Sequence, residues 1–122
     1  MEYFQANSEI YLDAETKGLD PHTHPLICLQ VGDYDNQYII DCESVDITQF
    51  KEVLESKLVV GQNLKFDIRF LFKKGIYLRN IYDTFVAEKV LNCGLNMIRA
   101  GLDALTGRYC GVALDKSIRV DI

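Results

Sequence analysis

The stretch Tyr11-Leu12-Asp13-Ala14-Glu15-Thr16 decides how the rest of the chain is read. It closes an apolar run, Ile10 to Leu12, that predicts a strand over Ser8 to Asp13. Side chains of a strand alternate between its faces, so Asp13 and Glu15 stand side by side on one of them. Two like charges that close repel, and a cation relieves the repulsion. Oxygen donors at the end of a buried strand suit Mg²⁺ or Mn²⁺, which prefer hard ligands. Solvated acids also end many strands, so Asp-x-Glu alone does not establish a metal site.

A third carboxylate strengthens the metal reading. Leu64, Ile68 and Leu71 recur at helical spacing on one face of a helix expected from Leu64 to about Lys74, ending near Gly75. Asp67 falls on that same face, where an ionised carboxylate is costly unless it is paired or bound to metal. Asn63, four residues earlier, projects from the same side and is expected to cap the helix. The favourable pole of the helix explains Asp67 less well, since that residue already ends the first turn. Phe66 and Phe70 form a neighbouring stripe assigned to the core. Asp83 ends a later strand before Thr84, where it either caps the next helix or supports the metal site from behind.

Around these residues the elements alternate in a readable order. After the first strand, Lys17-Gly18-Leu19-Asp20-Pro21 is a turn, and Pro25 to Gly32 and Tyr38 to Asp41 are two more strands, giving an antiparallel meander. Asp46 or Thr48 caps a helix running to about Ser56. Lys57 to Gly61 is a buried strand, and Tyr77 to Tyr82 contains another. Thr84 opens a helix that ends by Gly94, and Gly101 to Arg108 forms a short one. A hairpin sheet followed by strand–helix alternation predicts an α/β fold, a mixed five-stranded sheet with flanking helices. Residues 1–7 are expected to pack loosely.

Bulk properties exclude several classes. A length of 122 residues suits a single domain over residues 1–122, and 48% hydrophobic residues suffice for a core. No apolar run is long enough to span a membrane, and the N-terminus lacks a signal core, so an intracellular protein is expected. Cys28, Cys42, Cys93 and Cys110 are widely spaced, with His22 and His24 in one short segment; this disfavours zinc and disulfides and predicts reduced, mostly buried cysteines. A net charge of −5 argues against a non-specific nucleic-acid coat. It leaves room for an enzyme that meets nucleic acid through metal ions.

Leu12-Asp13-Ala14-Glu15-Thr16, Gly61-Gln62-Asn63-Leu64-Lys65-Phe66-Asp67 and Tyr82-Asp83-Thr84 together resemble the DEDD-type 3′–5′ exonuclease family. By motif the nearest members are the proofreading domain of family A DNA polymerases and ribonuclease D. Leu114-Asp115-Lys116-Ser117 also resembles a ribonuclease D segment. The resemblance runs from about residue 8 to 118 and implies a ribonuclease H-like fold. It implies that Asp13, Glu15 and Asp67 are catalytic metal ligands. Thr16 and Leu19 would lie beside the terminal nucleotide, with Leu19 against its base, and Gln62, Asn63 and Phe66 would line the substrate groove. Two Mg²⁺ or Mn²⁺ ions would clamp the attacking and leaving oxygens, releasing nucleoside monophosphates from a single-stranded 3′ end, DNA ahead of RNA.

The sequence departs from the family pattern in one respect. A fourth acid, expected in a Tyr-x-x-x-Asp arrangement on a later helix, has no counterpart: Tyr109 is followed four residues on by Ala113, and Asp121 matches a different family position. The expectation is therefore a C-terminally short domain lacking the final helix, completed by a homodimer or a second polypeptide over an uncovered apolar strip. The alternative is a catalytically inactive exonuclease-fold binding or assembly module. Retention of three acids, read as buried, favours the enzyme. An aspartyl phosphotransferase is a weaker reading, because a second Asp would be wanted where Glu15 stands.

Overall fold

The computed structural model describes residues 8–116. The readings placed on residues 1–7, Ser117 and Asp121 lie outside the described residues. The chain divides between Asp83 and Thr84 into two compact units, Met1–Asp83 and Thr84–Ile122.

The first unit holds the sheet. β1 (Glu9–Thr16), β2 (Leu26–Gly32) and β3 (Gln37–Asp41) form the expected antiparallel meander. A 3-10 turn, Ile47–Phe50, leads into α1 (Lys51–Ser56). Asp46 starts it as expected, its carboxylate accepting from Thr48 N at 3.0 Å and Thr48 Oγ1 at 2.7 Å. β4 (Leu58–Gly61), α2 (Leu64–Lys73) and β5 (Asn80–Asp83) follow. β4 pairs parallel with β1 and with β5, so the sheet is mixed, in the order β3-β2-β1-β4-β5. β1 lies at its centre, with an antiparallel neighbour on one side and a parallel one on the other.

Alternation along β1 buries Ile10, Leu12 and Ala14 and turns Asp13 and Glu15 outward. The buried face joins Leu29, Val31 and Val59 of the sheet to Val53 and Leu54 of α1 and Leu64, Phe70 and Leu71 of α2. Burying each such aliphatic side chain stabilises the fold by roughly 1.5–3 kcal/mol. Gly75 ends α2 with φ +79°, a conformation that only glycine adopts readily. Gly75 N then donates to Phe72 O, and Ile76 N to Leu71 O, each at 3.0 Å. This turn sends Ile76 back into the core.

The second unit contains α3 (Thr84–Leu91) and α4 (Leu102–Leu105). The helix expected over Gly101 to Arg108 is realised as four α-helical residues followed by a π-helical turn, Thr106–Cys110. Within this unit Glu88 of α3 is buried. It accepts hydrogen bonds from Tyr109 Oη at 2.7 Å, from Asn92 Nδ2 at 2.8 Å and from the Arg108 guanidinium. Those bonds tie the π-helical turn to α3.

The cysteine expectation needs correction. All four are free, but Cys93 and Cys110 are exposed and Cys28 and Cys42 only half-buried. Cys93 follows the end of α3 and Cys110 ends the π-helical turn, so both lie at helix ends and not on a packed face. Among the described residues, no helix is long and apolar enough to cross a membrane.

Candidate active site

β1 extends to Thr16, three residues beyond its expected end, so Asp13 and Glu15 both lie within the strand. Its parallel pairing with β4 runs only from Glu9↔Leu58 to Tyr11↔Val60. Beyond that point a side chain takes over: Ala14 N donates to Asp67 Oδ1 at 2.9 Å. The third carboxylate therefore meets β1 between the other two acids. The register of β1 against β2 shifts between Glu15 and Thr16, an irregularity of the kind that re-aims side chains at the end of a pairing.

Asp67 is 3% exposed, as its place on the core face of α2 predicted. Burial, and then the negative charge of Asp13, push its carboxyl up to about 7. Asp13 and Glu15 are exposed, which corrects the reading of three buried acids: strand alternation turns them away from the covered face. Glu15 stands opposite Cys28 of β2. Burial, followed by the charges of Glu15 and Asp13, raises the Cys28 thiol. This end of β1 is thus an acidic surface.

Such a donor set, hard oxygens with one carboxyl destabilised by burial and then by a neighbour's charge, fits a divalent cation chemically. Among the described residues, no three Asp, Glu, His or Cys side chains converge as a metal-holding cluster. Asp67 is brought to β1 beside Asp13 and Glu15, but the three do not form a closed ligand cage.

The flanking residues are placed as follows. Thr16 Oγ1 donates to Gly18 O at 2.7 Å. The turn carries Leu19, 79% exposed. Gly18 has no room for a side chain there, since a Cβ would lie 2.5 Å from the His24 ring. Gln62 is half-buried and Asn63 exposed, both at the β4–α2 junction. Phe66 is half-buried against the core, its ring centroid 5.0 Å from that of Phe70.

The junction corrects two expectations. Asn63 sits at the cap position of α2, but its side chain makes no cap hydrogen bond, and its backbone is left-handed at φ +55° and ψ +52°. The carboxylate of Asp83 accepts from Asn63 N and from Leu64 N, each at 2.8 Å. Asp83 therefore caps the helix that precedes it in the chain. Spacing alone could not show this, because β5 returns beside β4 only after α2 is built. The Ala14 N–H was likewise missed: a backbone donor leaves no trace in the sequence.

Comparison with known proteins identifies the family. Residues 1–121 match the family described as 3′-5′ exonuclease. The chain is 32% identical over 109 residues to DNA polymerase I of Aquifex aeolicus (strain VF5), covering 88% of this chain and 17% of the polymerase. Among solved structures it is similar to Escherichia coli RNase D, an exoribonuclease involved in structured RNA processing. That match has a TM-score of 0.79 and 25% identity, over 95% of this chain and 31% of the other. It also resembles Brucella melitensis NrnC, with TM-score 0.77 and 21% identity over 92% of this chain. NrnC has been solved with bound Mg²⁺ and bound to pGG, and the match covers 58% and 57% of those chains. The chain thus spans less than two thirds of the length of each of these relatives. Its mixed sheet and flanking helices are the ribonuclease H-like fold. With the sheet, the acid-bearing central strand and a match over nearly its whole length in agreement, this chain belongs to the 3′–5′ exonuclease family.

Proposed function

We propose that this chain hydrolyses nucleic acid from the 3′ end to nucleoside monophosphates, with Mg²⁺ or Mn²⁺ held by Asp13, Glu15 and Asp67. The observation that carries the reading is the Asp67 carboxylate, delivered by α2 to Ala14 and raised first by burial and then by Asp13. Family membership supports the reaction class. When bound, the ions would supply positive charge to the scissile phosphate and its leaving oxygen. The chain's own residues bind and orient. Leu19 offers an exposed apolar side chain to the terminal base, with Thr16 beside it. Gln62, Asn63 and Phe66 border the strand end at the β4–α2 junction. The substrate is a single-stranded 3′ end, DNA ahead of RNA. The Mg²⁺ of NrnC and its complex with pGG are consistent with the ion and the substrate class.

Two observations favour a second reading, an assembly module without catalysis. Asp13, Glu15 and Asp67 do not close into a cage. In the second unit Val86, Val90, Leu91, Leu95 and Met97 are exposed. In that case the chain works with a second copy or a second polypeptide.

The deciding experiment is degradation of a 5′-labelled single-stranded oligonucleotide with Mn²⁺, comparing the wild type with Asp13→Ala and Asp67→Ala. A ladder shortening from the 3′ end, absent from both variants, is the expected result. No ladder at high enzyme concentration, or one that survives both substitutions, would overturn the catalytic reading.

A further inference from the structure

Asp83 is the last residue of β5 and pairs with Gly61 of β4 in the parallel ladder. From there its two carboxylate oxygens take one N–H each, from Asn63 and from Leu64, at 2.8 Å. A left-handed residue followed by a helical one turns successive N–H groups toward a common point, and such a concavity attracts an anion. Here the anion is the chain's own side chain. The start of α2 is thus held to the sheet by two charge-assisted hydrogen bonds, and Asn63 is held in a conformation that few residues other than glycine adopt.

One turn into the same helix, Asp67 reaches Ala14 on β1. Leu64 and Leu71, both fully buried, set how deep α2 sits and which face it turns inward, but apolar contacts are non-directional and hold its start less strictly than hydrogen bonds do. The Asp83 bonds do fix its start. We propose that Asp83 is a positioning residue for Asp67: by anchoring the Asn63 and Leu64 amides it sets α2 so that Asp67 meets β1 between Asp13 and Glu15. This rests on the reading of Asp67 as part of the active site. It also means that the first amides of α2 serve Asp83, leaving recognition of the substrate phosphate to other groups.

The test compares the full chain with Asp83→Ala, Asp83→Asn and, as a cap remote from the site, Asp46→Ala. Exchange of the Ala14 amide, followed by NMR without metal, reads the contact directly. Loss of both Asp83 bonds is expected to speed that exchange by about tenfold. Asp83→Asn, which keeps one acceptor oxygen, should give a smaller increase, and Asp46→Ala none. The Mn²⁺ concentration for half-maximal thermal stabilisation should rise by about tenfold or more in Asp83→Ala. On the labelled oligonucleotide, kcat should fall with little change in KM. Should Asp83→Ala not fold, Asp83→Asn carries the same comparison. Unchanged Ala14 exchange in a variant that melts at lower temperature would reduce Asp83 to a helix cap and overturn the proposal. A wild type indifferent to Mn²⁺ would remove the metal reading, while Ala14 exchange would still decide the positioning.

Discussion

Asp67→Asn is expected to stabilise the metal-free protein at alkaline pH. The carboxyl is raised from 3.8 to about 7, first by burial and then by the charge of Asp13. Between those two values the folded state keeps a proton that the unfolded state has released. Stability therefore falls as pH rises through that window, by up to about 1.4 kcal/mol per pH unit. Above pH 7 both states are ionised and the full penalty, about 4 kcal/mol, applies. The asparagine variant carries no charge, and its amide oxygen can still accept from Ala14 N. Urea unfolding in EDTA should show the variant more stable by up to about 4 kcal/mol at pH 8, and by less than half of that at pH 5. Mn²⁺ should narrow the gap, since a ligand at 100 times its Kd adds about 2.7 kcal/mol to the state that binds it, and close it near ~1,000 times Kd, where the gain is about 4.1 kcal/mol. If the variant is no more stable than the wild type at pH 8 in EDTA, or if its advantage does not shrink at pH 5, the account of Asp67 as a destabilised buried carboxylate is wrong.

Other consequences follow from the packing. Leu71→Ala empties a fully buried position on α2 and should cost about 2–5 kcal/mol, read from the urea midpoint. Gly61→Ala would place a Cβ 2.3 Å from Leu64 Cδ2 and 2.9 Å from the Leu12 carbonyl oxygen. Because backbone yields less than a side-chain tip, this overpacking should cost about 1–3 kcal/mol in thermal melting. In the second unit, the Tyr109 hydroxyl, then Asn92 and Arg108, hold the Glu88 carboxyl below the usual range. The stability that this contributes is present above the ordinary carboxylate pKa and lost as pH falls through the lowered one. Tyr109→Phe should move the Glu88 titration upward in ¹³C NMR, and an unmoved titration would refute the role given to the hydroxyl.

Local chemistry made much of the molecule legible. Two-residue alternation in Ile10–Thr16 and helical spacing in Leu64–Leu71 follow from backbone periods that any side chain must obey. Asp46 before Thr48, and Gly75 after Lys74, mark helix ends through groups only a few residues apart. Asp67 stood out for the same reason, as a charge on a face whose other members are apolar.

The sequence alone therefore determined the element order, the acidic pair on β1 and the third carboxylate on the core face of α2, because each is written in spacings within one or two turns of chain, and the mixed sheet was inferred from that order. Tertiary structure decided what lies across the sheet. Asp67 bonds an amide 53 residues away, and Asp83 bonds the start of a helix 19 residues before it. It also decided that Asn63 is held in the left-handed region and makes no side-chain cap, and that Asp13 and Glu15 are exposed. Those outcomes depend on which strands become neighbours, and a hydrogen bond to a backbone amide carries no residue type that a sequence could display.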